Sequence, residues 1–477
     1  MDAKYDIIVI GAGSGGLGVS LFAAKVGLKT LLVDRSDKHI GGDCLNDGCI
    51  PSKALIHISK IMSDARKAEQ FGTQVSGKPK MALVNAYIAA RQRIIRNHEN
   101  TAYLKQQGID VVLGQASFYS PAAILVNEKV YVGKKIIIAT GSRPASLVVP
   151  GIEFVKQYNN ESIFDLDDLP GKLLVIGGGP VGIEISQALS RLGSKVTVVQ
   201  RNKSILPHDD VDTSRILLSR LQAEGITFKL DAEIEKFQSS NEAIIRTSND
   251  FRHNIPFDAI FVATGRVIDV NELALENAGI KVKDGNIIVD KYLRTTNKNV
   301  LLCGDVAGSL KFSHAAEQHA RILINNLFSP MKRKLTNKYM SWVTFTDPEV
   351  ATFGLSERAL SDSKVKYQKL TYDFKGDDRA VVDDYQYGKL ILFLSKGGLF
   401  GKQKILGGSM VSPVAGELIQ ELILAMREGL SIKTLFNKIY PYPVASRVNQ
   451  LAIVSHKEKQ ITPMVTKLMR FLFRSMN

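Results

Sequence analysis

Two cysteines, Cys44 and Cys49, are the residues of this 477-residue chain whose type and spacing best suit chemistry. They lie in the stretch GGDCLNDGCIPSK, residues 41–53, and are two of only three cysteines in the chain. A regular helix would hold their Cα atoms about 8–9 Å apart, whereas a disulfide needs less than about 7 Å. If the two cysteines pair, the backbone between them must be distorted, which Gly48 and Pro51 permit. A bridge closing so short a loop would be labile and suited to redox exchange. The alternative is two unpaired structural thiols.

A glycine-rich turn near the N-terminus has the form of a dinucleotide-binding site. A short strand pattern over 6–10 is followed by a helical pattern over about 15–26 and a second strand that ends at Asp34. Three glycines open the helix at the spacing of that fingerprint: Gly11, Gly13 and Gly16. They suit a tight turn, close approach to a pyrophosphate and close helix–strand packing, while Asp34 is placed to bind ribose hydroxyls.

The same unit recurs at a constant offset of 166 residues, because 172–201 aligns with 6–35 without a gap. Its three glycines are Gly177, Gly179 and Gly182. The informative mismatch is Gln200, which stands where the first unit has Asp34. A carboxylate there would repel a 2′-phosphate, and the second unit instead offers Arg201 and Lys203. We therefore expect the second site to prefer NADPH to NADH, although Arg35, the counterpart of Arg201, makes the arginine alone undiagnostic.

Three buried-strand patterns end in residues suited to line these sites. IIIATG (136–141) and IFVATG (260–265) each follow one fingerprint, and VLLCGDVAG (300–308) carries an acid where an α/β sheet binds ligands. The residues singled out here are Thr140, Gly141, Gly265, Gly304 and Asp305. Cys303 lies inside the last strand, and we expect it to be ordinary core.

Composition excludes several classes of protein. The length suggests about three domains, and three cysteines make neither a disulfide scaffold nor a four-cysteine zinc site. A formal net charge of +15 suits anionic ligands, but no nucleic-acid-binding module is recognisable. The sequence opens directly into a strand pattern and contains no apolar run of about 20 residues. We therefore expect a cytoplasmic protein without a signal peptide or membrane span.

The helical and β-rich patterns in the rest of the sequence indicate the domain organisation. Helical patterns cover roughly 53–70 and 80–107, and β-rich runs alternate with a helical stretch from residue 341 onward. The fold class is therefore α/β, with two Rossmann-like units and a separate C-terminal α+β domain. The expected segments are 1–145 and 268–337 for the first nucleotide domain, 146–267 for the second, 338–455 for the C-terminal domain and 456–477 for a basic tail.

Together these motifs resemble the class I pyridine nucleotide–disulfide oxidoreductases, the group of dihydrolipoamide dehydrogenase, glutathione reductase and mercuric reductase. The resemblance spans residues 5 to about 450 and is nearest the mercuric-reductase-like branch. It implies a homodimer with FAD on the first unit, a nicotinamide nucleotide on the second, and a Cys44–Cys49 redox disulfide. Cys49 would face the flavin, Cys44 would be the exchanging thiol, and Lys53 and Glu184 would form an ion pair beside the flavin.

Residue by residue, the resemblance and the motifs predict two binding sets and no metal site. The FAD set is Gly11, Gly13, Gly16, Asp34, Arg35, Gly42, Lys53, Thr140, Gly141, Gly304 and Asp305. The NAD(P) set is Gly177, Gly179, Gly182, Gln200, Arg201, Lys203 and Gly265.

The C-terminal motif departs from the family pattern. Disulfide reductases of this group use a His-Pro pair followed by a glutamate as the base for the exchanging thiol. Here Tyr442 stands before Pro443 in the histidine position, and Arg447 replaces the carboxylate. A tyrosine is a poor base at neutral pH, so Tyr442 is predicted either to line the substrate site or to pack at the dimer interface. The cysteine pair that mercuric reductases carry near the C-terminus is absent.

Acidic and basic residues around these motifs suggest two further features. Asp43 and Asp47 flank Cys44, and we expect their charge to raise the pKa of its thiol. The basic amphipathic stretch 461–474 is predicted to dock on the dimer or to make weak contact with the inner face of a membrane.

The function predicted from the sequence is electron transfer from NAD(P)H through FAD and Cys44–Cys49 to a disulfide or thiol-reactive acceptor. A soft-metal-ion reductase is the first alternative. A non-catalytic redox-sensing or membrane-associated flavoprotein is the second.

Overall fold

The structure is a computed structural model that describes residues 3–308, 310–397 and 402–476. The chain forms two compact units. The first comprises the chain up to Arg201 together with Thr227–Thr336, and the second comprises Asn202–Ile226 together with the chain from Asn337 onward. The finer division into five segments stays a prediction.

The first part of the first unit is a strand–helix–strand unit followed by helices and a strand meander. Its elements are β1 Ala3–Ile10, α1 Ser14–Lys25, β2 Thr30–Asp34, α2 Gly42–Asn46, α3 Cys49–Lys67, α4 Met81–Arg96, α5 Thr101–Gln106, β3 Ile109–Leu113, β4 Ala116–Ser120, β5 Ala123–Val126, β6 Lys129–Ile138 and β7 Arg143–Pro144.

The next part repeats the strand–helix–strand unit and then returns to the first sheet. Its elements, including α7, which belongs to the second compact unit, are β8 Gln157–Tyr158, β9 Lys172–Ile176, α6 Pro180–Leu192, β10 Lys195–Gln200, α7 Val211–Ala223, β11 Thr227–Leu230, β12 Ala232–Ser239, β13 Glu242–Thr247, β14 Arg252–Pro256, β15 Ala259–Val262, β16 Arg266–Val267, β17 Val282–Lys283, β18 Asn286–Ile287, β19 Val300–Leu302 and α8 Ser313–Phe328.

Two sheets carry the two repeats, and the strands of each repeat are parallel. The first has the order β3-β2-β1-β6, with β19 parallel to β6 and the meander β6-β5-β4 antiparallel. The second has the order β11-β10-β9-β15-β8, and all of its strands are parallel. Ile8 pairs with Leu31 in the first sheet, and Leu174 pairs with Thr197 in the second, so the strand register preserves the 166-residue offset. The strands are continuous apolar runs because both faces of a parallel sheet are covered.

The second unit is an α+β domain, as predicted. It contains α7, β20 Ser341–Thr344, β21 Glu349–Gly354, α9 Glu357–Asp362, β22 Tyr367–Asp373, α10 Asp378–Val382, β23 Lys389–Ser395, β24 Ile405–Ser412, α11 Ala415–Leu418, α12 Gln420–Arg427, α13 Ile432–Asn437, α14 Val448–Glu458 and α15 Pro463–Met476. Its sheet is antiparallel, in the order β20-β21-β24-β23-β22.

Sequence patterns did not single out β24, which contains a glycine pair. A Cβ on Gly407 would lie 2.3 Å from the carbonyl oxygen of Leu355, and one on Gly408 would lie 2.4 Å from that of Ile391. The neighbouring backbone therefore leaves no room for side chains there, and the strand loses the alternation by which strands are recognised. Among the described residues, no helix has the length and apolar character needed to cross a membrane.

Candidate active site

The first glycines of the two fingerprints, Gly11 and Gly177, occupy equivalent positions. Both have positive φ, +105° and +114°, which favours glycine. A Cβ on Gly11 would lie 2.4 Å from the carbonyl oxygen of Ala139, and a Cβ on Gly177 would lie 2.4 Å from that of Ala263. Each alanine belongs to an Ala-Thr-Gly motif, so the two motifs act together to form each turn. The other fingerprint glycines lie at or within the first turn of α1 or α6: Gly13, Gly16, Gly179 and Gly182.

The residue that ends the second strand of each repeat braces its glycine turn. Asp34 Oδ2 accepts the backbone N–H of Ala12 at 2.7 Å, and Gln200 Oε1 accepts that of Gly178 at 3.0 Å. The two sites therefore share a geometry but differ by one negative charge. Burial raises the pKa of Asp34, while the backbone N–H groups of Ala12 and Arg35 partly offset this effect. The second acceptor is neutral at every pH.

The loop that carries the cysteines lies directly against the first fingerprint. Gly41 N–H donates to the carbonyl oxygen of Ala12 at 2.9 Å. A Cβ on Gly42, whose φ is +61°, would lie 2.7 Å from the Cα atom of Gly13. A side chain at Gly42 would thus force the loop away from the glycine turn. This contact explains the glycine pair that precedes the cysteines.

Cys44 and Cys49 lie on opposite sides of a break between two helices. Cys44 is in α2, Cys49 opens α3, and Gly48 between them has non-helical torsion angles. Both thiols are free and half-buried, and the interaction between them is the largest cause of the pKa shift of each. The predicted distortion of the backbone between the cysteines is confirmed, and it is the break that brings the two sulfur atoms together.

Cys49 has the surroundings of a stable thiolate. The hydrogen bond from Cys44 is the largest cause, and together with Ser313 and the charge of Lys53 it lowers the pKa of Cys49 to about 6 against the effect of burial. Ser313 Oγ lies 3.4 Å from Cys49 Sγ. Lys53 Nζ lies 2.8 Å from Glu184 Oε2, and this glutamate side chain is only 7% exposed. The ion pair expected from the family resemblance is therefore present beside Cys49.

Cys44 is held in the protonated form. The hydrogen bond to Cys49, burial and the negative charge of Cys49 raise the pKa of Cys44 strongly. The predicted direction is correct, and the largest causes are the Cys49 thiol and burial. The carboxylate that contributes is Glu99, which the sequence analysis missed because it stands 55 residues along the chain in a polar loop. Asp43 accepts a hydrogen bond from Arg266 at 3.2 Å, and its charge raises the pKa of the neighbouring Cys49.

Asp47, the other acid beside Cys44, is itself perturbed. Burial and the charges of Asp43 and Glu161 raise the pKa of Asp47 to about 6. Its carboxyl group therefore titrates near neutral pH and carries less charge at the site than its type suggests.

A second set of polar side chains surrounds Asp305. Ser142 donates to Asp305 Oδ2 at 2.6 Å, and Arg266 donates to Ser142 Oγ at 2.7 Å. Gly304 N–H donates to Nδ1 of the buried His319 at 3.1 Å, which fixes the turn before Asp305. Sequence reasoning identified Gly304 and Asp305 but missed Ser142, Arg266 and His319, because nothing in their local sequence marks them.

The residues around the first nucleotide-binding repeat fit an FAD. The N-terminus of α1 presents unpaired N–H groups beside Gly13, where an added Cβ would meet no atom nearer than 3.8 Å, and such a helix terminus binds pyrophosphate. Asp34 and Asp305 supply carboxylates at the ends of β2 and β19. Thr140 is exposed and Gly141, with φ +73°, has open space around it. Arg35 is exposed and contributes its backbone N–H to Asp34.

The second nucleotide-binding repeat presents a similar opening. An added Cβ would meet no atom within 4 Å at Gly179 or Gly265. Arg201 is exposed at the end of β10 and lines a cavity of about 360 Å³ together with Arg246. Lys203 is exposed and belongs to the second compact unit.

Tyr442 lies in the second compact unit, in a cluster of charged side chains. It is 68% exposed, and its hydroxyl donates to Asp378 Oδ2 at 3.2 Å. Arg447 lies over its ring, with the guanidinium carbon 5.5 Å from the centroid. The hydrogen bond to Asp378 raises the pKa of Tyr442. The replacement of histidine and glutamate by these two residues therefore yields a cation–π pair and a phenol that is a weak base.

No group of three or more potential metal ligands occurs within the part of the chain that the structure describes. The site combines two thiols, the Lys53–Glu184 ion pair and two dinucleotide-binding turns. These features define a class of protein, the redox enzymes that link nucleotides to a dithiol. Comparison with known families agrees. Residues 5–320 match the model of pyridine nucleotide-disulphide oxidoreductases, and residues 340–452 match the dimerisation domain of the same family.

This chain belongs to the pyridine nucleotide-disulphide oxidoreductase family. It is therefore an NAD(P)H-dependent flavoprotein oxidoreductase with FAD as its cofactor, and its dimerisation domain supports a homodimer.

Relatives span several activities. The chain is 29% identical to a mercuric reductase of Staphylococcus aureus, over 95% of this chain and 83% of that protein. It is 31% identical to a dihydrolipoyl dehydrogenase of Buchnera aphidicola, over 94% and 95%. Among solved structures it resembles the copper(II) complex of RclA, an HOCl-induced flavoprotein disulfide reductase from Escherichia coli. That match has a TM-score of 0.82 and 28% identity, and it covers 94% of this chain and 99% of that one.

Proposed function

We propose that this enzyme passes electrons from NADPH, through FAD, to a Cys44–Cys49 disulfide and then to a disulfide or another thiol-reactive acceptor. The observation that carries the proposal is the unequal thiol pair across the α2–α3 break. Cys49 lies beside Ser313 and the Lys53–Glu184 ion pair, whereas Cys44 retains its proton. One sulfur is thus set to hold negative charge, and the other to exchange.

We assign the FAD to the first fingerprint and to the residues that surround Asp34 and Asp305. FAD supplies the two-electron chemistry that links a reduced nicotinamide to the opening of a disulfide. The side chains beside Cys49 stabilise the negative charge that develops during that reaction. Lys53 offsets the negative charge that develops next to Cys49, and Glu184 fixes the position of the lysine.

The two thiols perform the outward step. Cys44 loses its proton and attacks one sulfur of the acceptor disulfide, which forms a mixed disulfide and releases one thiolate. The Cys49 thiolate then attacks the Cys44 sulfur, so the Cys44–Cys49 bridge forms again and the second thiolate leaves. Two electrons pass from the dithiol to the acceptor, and the proton from Cys44 goes to solvent or to a released thiolate.

The proton of Cys44 is the obstacle to that step. Tyr442 does not help, because Asp378 raises the pKa of its phenol further above neutrality. An acceptor that reacts with poorly ionised thiols, or one that displaces the thiol proton on binding, suits this site better than an ordinary low-reactivity disulfide. We infer that the physiological acceptor is strongly electrophilic towards sulfur.

A soft metal ion is the second candidate acceptor. Two relatives favour it, namely the mercuric reductase and RclA, which is known as a copper(II) complex. A soft cation displaces thiol protons and binds two sulfur atoms, which would bypass the missing base. Family membership favours either acceptor over a sensor without turnover. The cytoplasmic location and the five-segment division stay predictions.

Nicotinamide preference is assigned to Gln200. The side chain braces the second glycine turn as Asp34 braces the first, but it adds no negative charge against a 2′-phosphate. We expect a higher kcat/KM with NADPH than with NADH, and Gln200→Glu should shift the ratio towards NADH by about tenfold or more. Gln200→Asn, which stays neutral, is the matched control. If the ratio of kcat/KM with NADPH to that with NADH is unchanged in Gln200→Glu, Gln200 does not determine the nucleotide preference.

The main proposal is tested by anaerobic titration followed by an acceptor screen. FAD and an active disulfide together take up about two equivalents of NADPH by electron count. Cys44→Ser should take up about one and lose turnover with disulfides and metal ions alike, whereas Cys303→Ser, at the buried third cysteine, should behave as wild type. Two equivalents in Cys44→Ser would refute the role of the pair. Metal-stimulated NADPH oxidation without added thiols would select the metal-ion alternative.

A further inference from the structure

The C-terminal helix α15 differs from every other long helix of the second unit. None of its fourteen described residues is buried, whereas the preceding helix α14 buries residues such as Val448, Ala452 and Ile453. Yet α15 is rich in large apolar side chains. Those that are exposed include Met464, Leu468, Met469, Phe471, Leu472 and Met476.

The apolar and basic residues of α15 lie on separate faces. At 100° per residue, the apolar side chains fill an arc of about 200° around the axis, interrupted only by Ser475. Lys467, Arg470 and Arg474 fall together on the remaining arc, and the helix contains no acidic residue. This is the pattern of a helix that lies in a membrane–water interface.

The helix lies outside the matched family domains. The match to the dimerisation domain ends at residue 452. The match to the family domains therefore leaves the exposed apolar side chains of α15 without an explanation.

We propose that α15 binds the surface of an anionic lipid bilayer, with its apolar arc in the headgroup region and its cations on lipid phosphates. At about 21 Å, 14 residues at 1.5 Å each, the helix is too short to span a bilayer. Docking on another helix would need only a narrow stripe, whereas an arc of about half the circumference suits a planar interface. The absence of acids and the +15 charge of the chain favour anionic lipids.

The test is flotation of the FAD-loaded full-length protein with phosphatidylcholine vesicles, with or without about a third phosphatidylglycerol. Wild type should float with the anionic vesicles and only weakly with the neutral ones. The double variant Leu468→Gln/Phe471→Gln should lose flotation, and Thr466→Asn on the polar arc is the matched control. Replacement of all three cations by glutamine should weaken partitioning by about a hundredfold, roughly fivefold per charge. NADPH oxidation should be unchanged in every variant.

Three outcomes would overturn the proposal. Wild type could remain with the soluble fraction at all vesicle compositions. The apolar double variant could float as well as wild type. Finally, wild type could fail to bind vesicles while the double variant changes from dimer to monomer in sedimentation. That result would show that the apolar face of α15 packs against a second copy of the chain.

Discussion

Replacement of Cys44 by alanine tests the electrostatic account of the thiol pair. The pKa of Cys49 falls from an ordinary value of 9.0 to about 6, and the hydrogen bond from Cys44 is the largest cause. That difference corresponds to about 4 kcal/mol in favour of the thiolate. Without Cys44, burial opposes only Ser313 and Lys53, so the pKa of Cys49 should return to about 8 or above.

The measurement is the pH dependence of alkylation of Cys49 by iodoacetamide in the reduced, FAD-loaded protein, with the Cys49 peptide followed by mass spectrometry. The midpoint is the proper readout. At pH 7 the thiolate fraction should fall from about 90% to about 10% or less, but the intrinsic reactivity of the thiolate rises with its pKa and masks part of the loss. The midpoint should move from about pH 6 to about pH 8 or higher.

Two variants serve as controls. Ser313→Ala removes a smaller cause and should move the midpoint in the same direction by less, and Cys303→Ala should leave it unchanged. A midpoint that stays near pH 6 in Cys44→Ala would refute the reasoning. It would mean that Lys53 and the surrounding backbone, rather than the neighbouring thiol, hold the charge on Cys49.

Three further predictions follow from particular contacts. Burial lowers the pKa of His319 to about 4, so the unfolded chain binds this proton first as pH falls, and the free energy of unfolding should drop by up to about 3 kcal/mol between pH 6.5 and 4. His319→Asn should reduce that slope in denaturant titrations, and an unaltered slope would contradict the assignment. Glu184→Gln should lower kcat by about tenfold or more while FAD content is retained, because Lys53 loses its partner; wild-type turnover would show that the pair is dispensable. Tyr442→Phe should change kcat/KM at pH 7 by less than about twofold, and a large loss would restore the tyrosine as a proton carrier.

Local sequence was enough to establish the two nucleotide-binding units. Each fingerprint is a strand, a turn and a helix that are adjacent along the chain, so the glycine spacing and the apolar pattern encode them directly. The same holds for the break between Cys44 and Cys49, which Gly48 signals. The repeat even fixed the strand register, because equivalent residues pair in both sheets.

The tertiary structure decided which groups tune the two thiols. Ser313 reaches Cys49 across 264 residues of sequence, and Arg266 reaches Asp43 across 223. Neither residue carries a local signal. Charge effects act through space and burial rather than along the chain, which is why the distant Glu99 influences the Cys44 thiol. The sequence by itself determined that a dithiol stands beside two nucleotide sites; only the folded arrangement determined which thiol ionises and which keeps its proton.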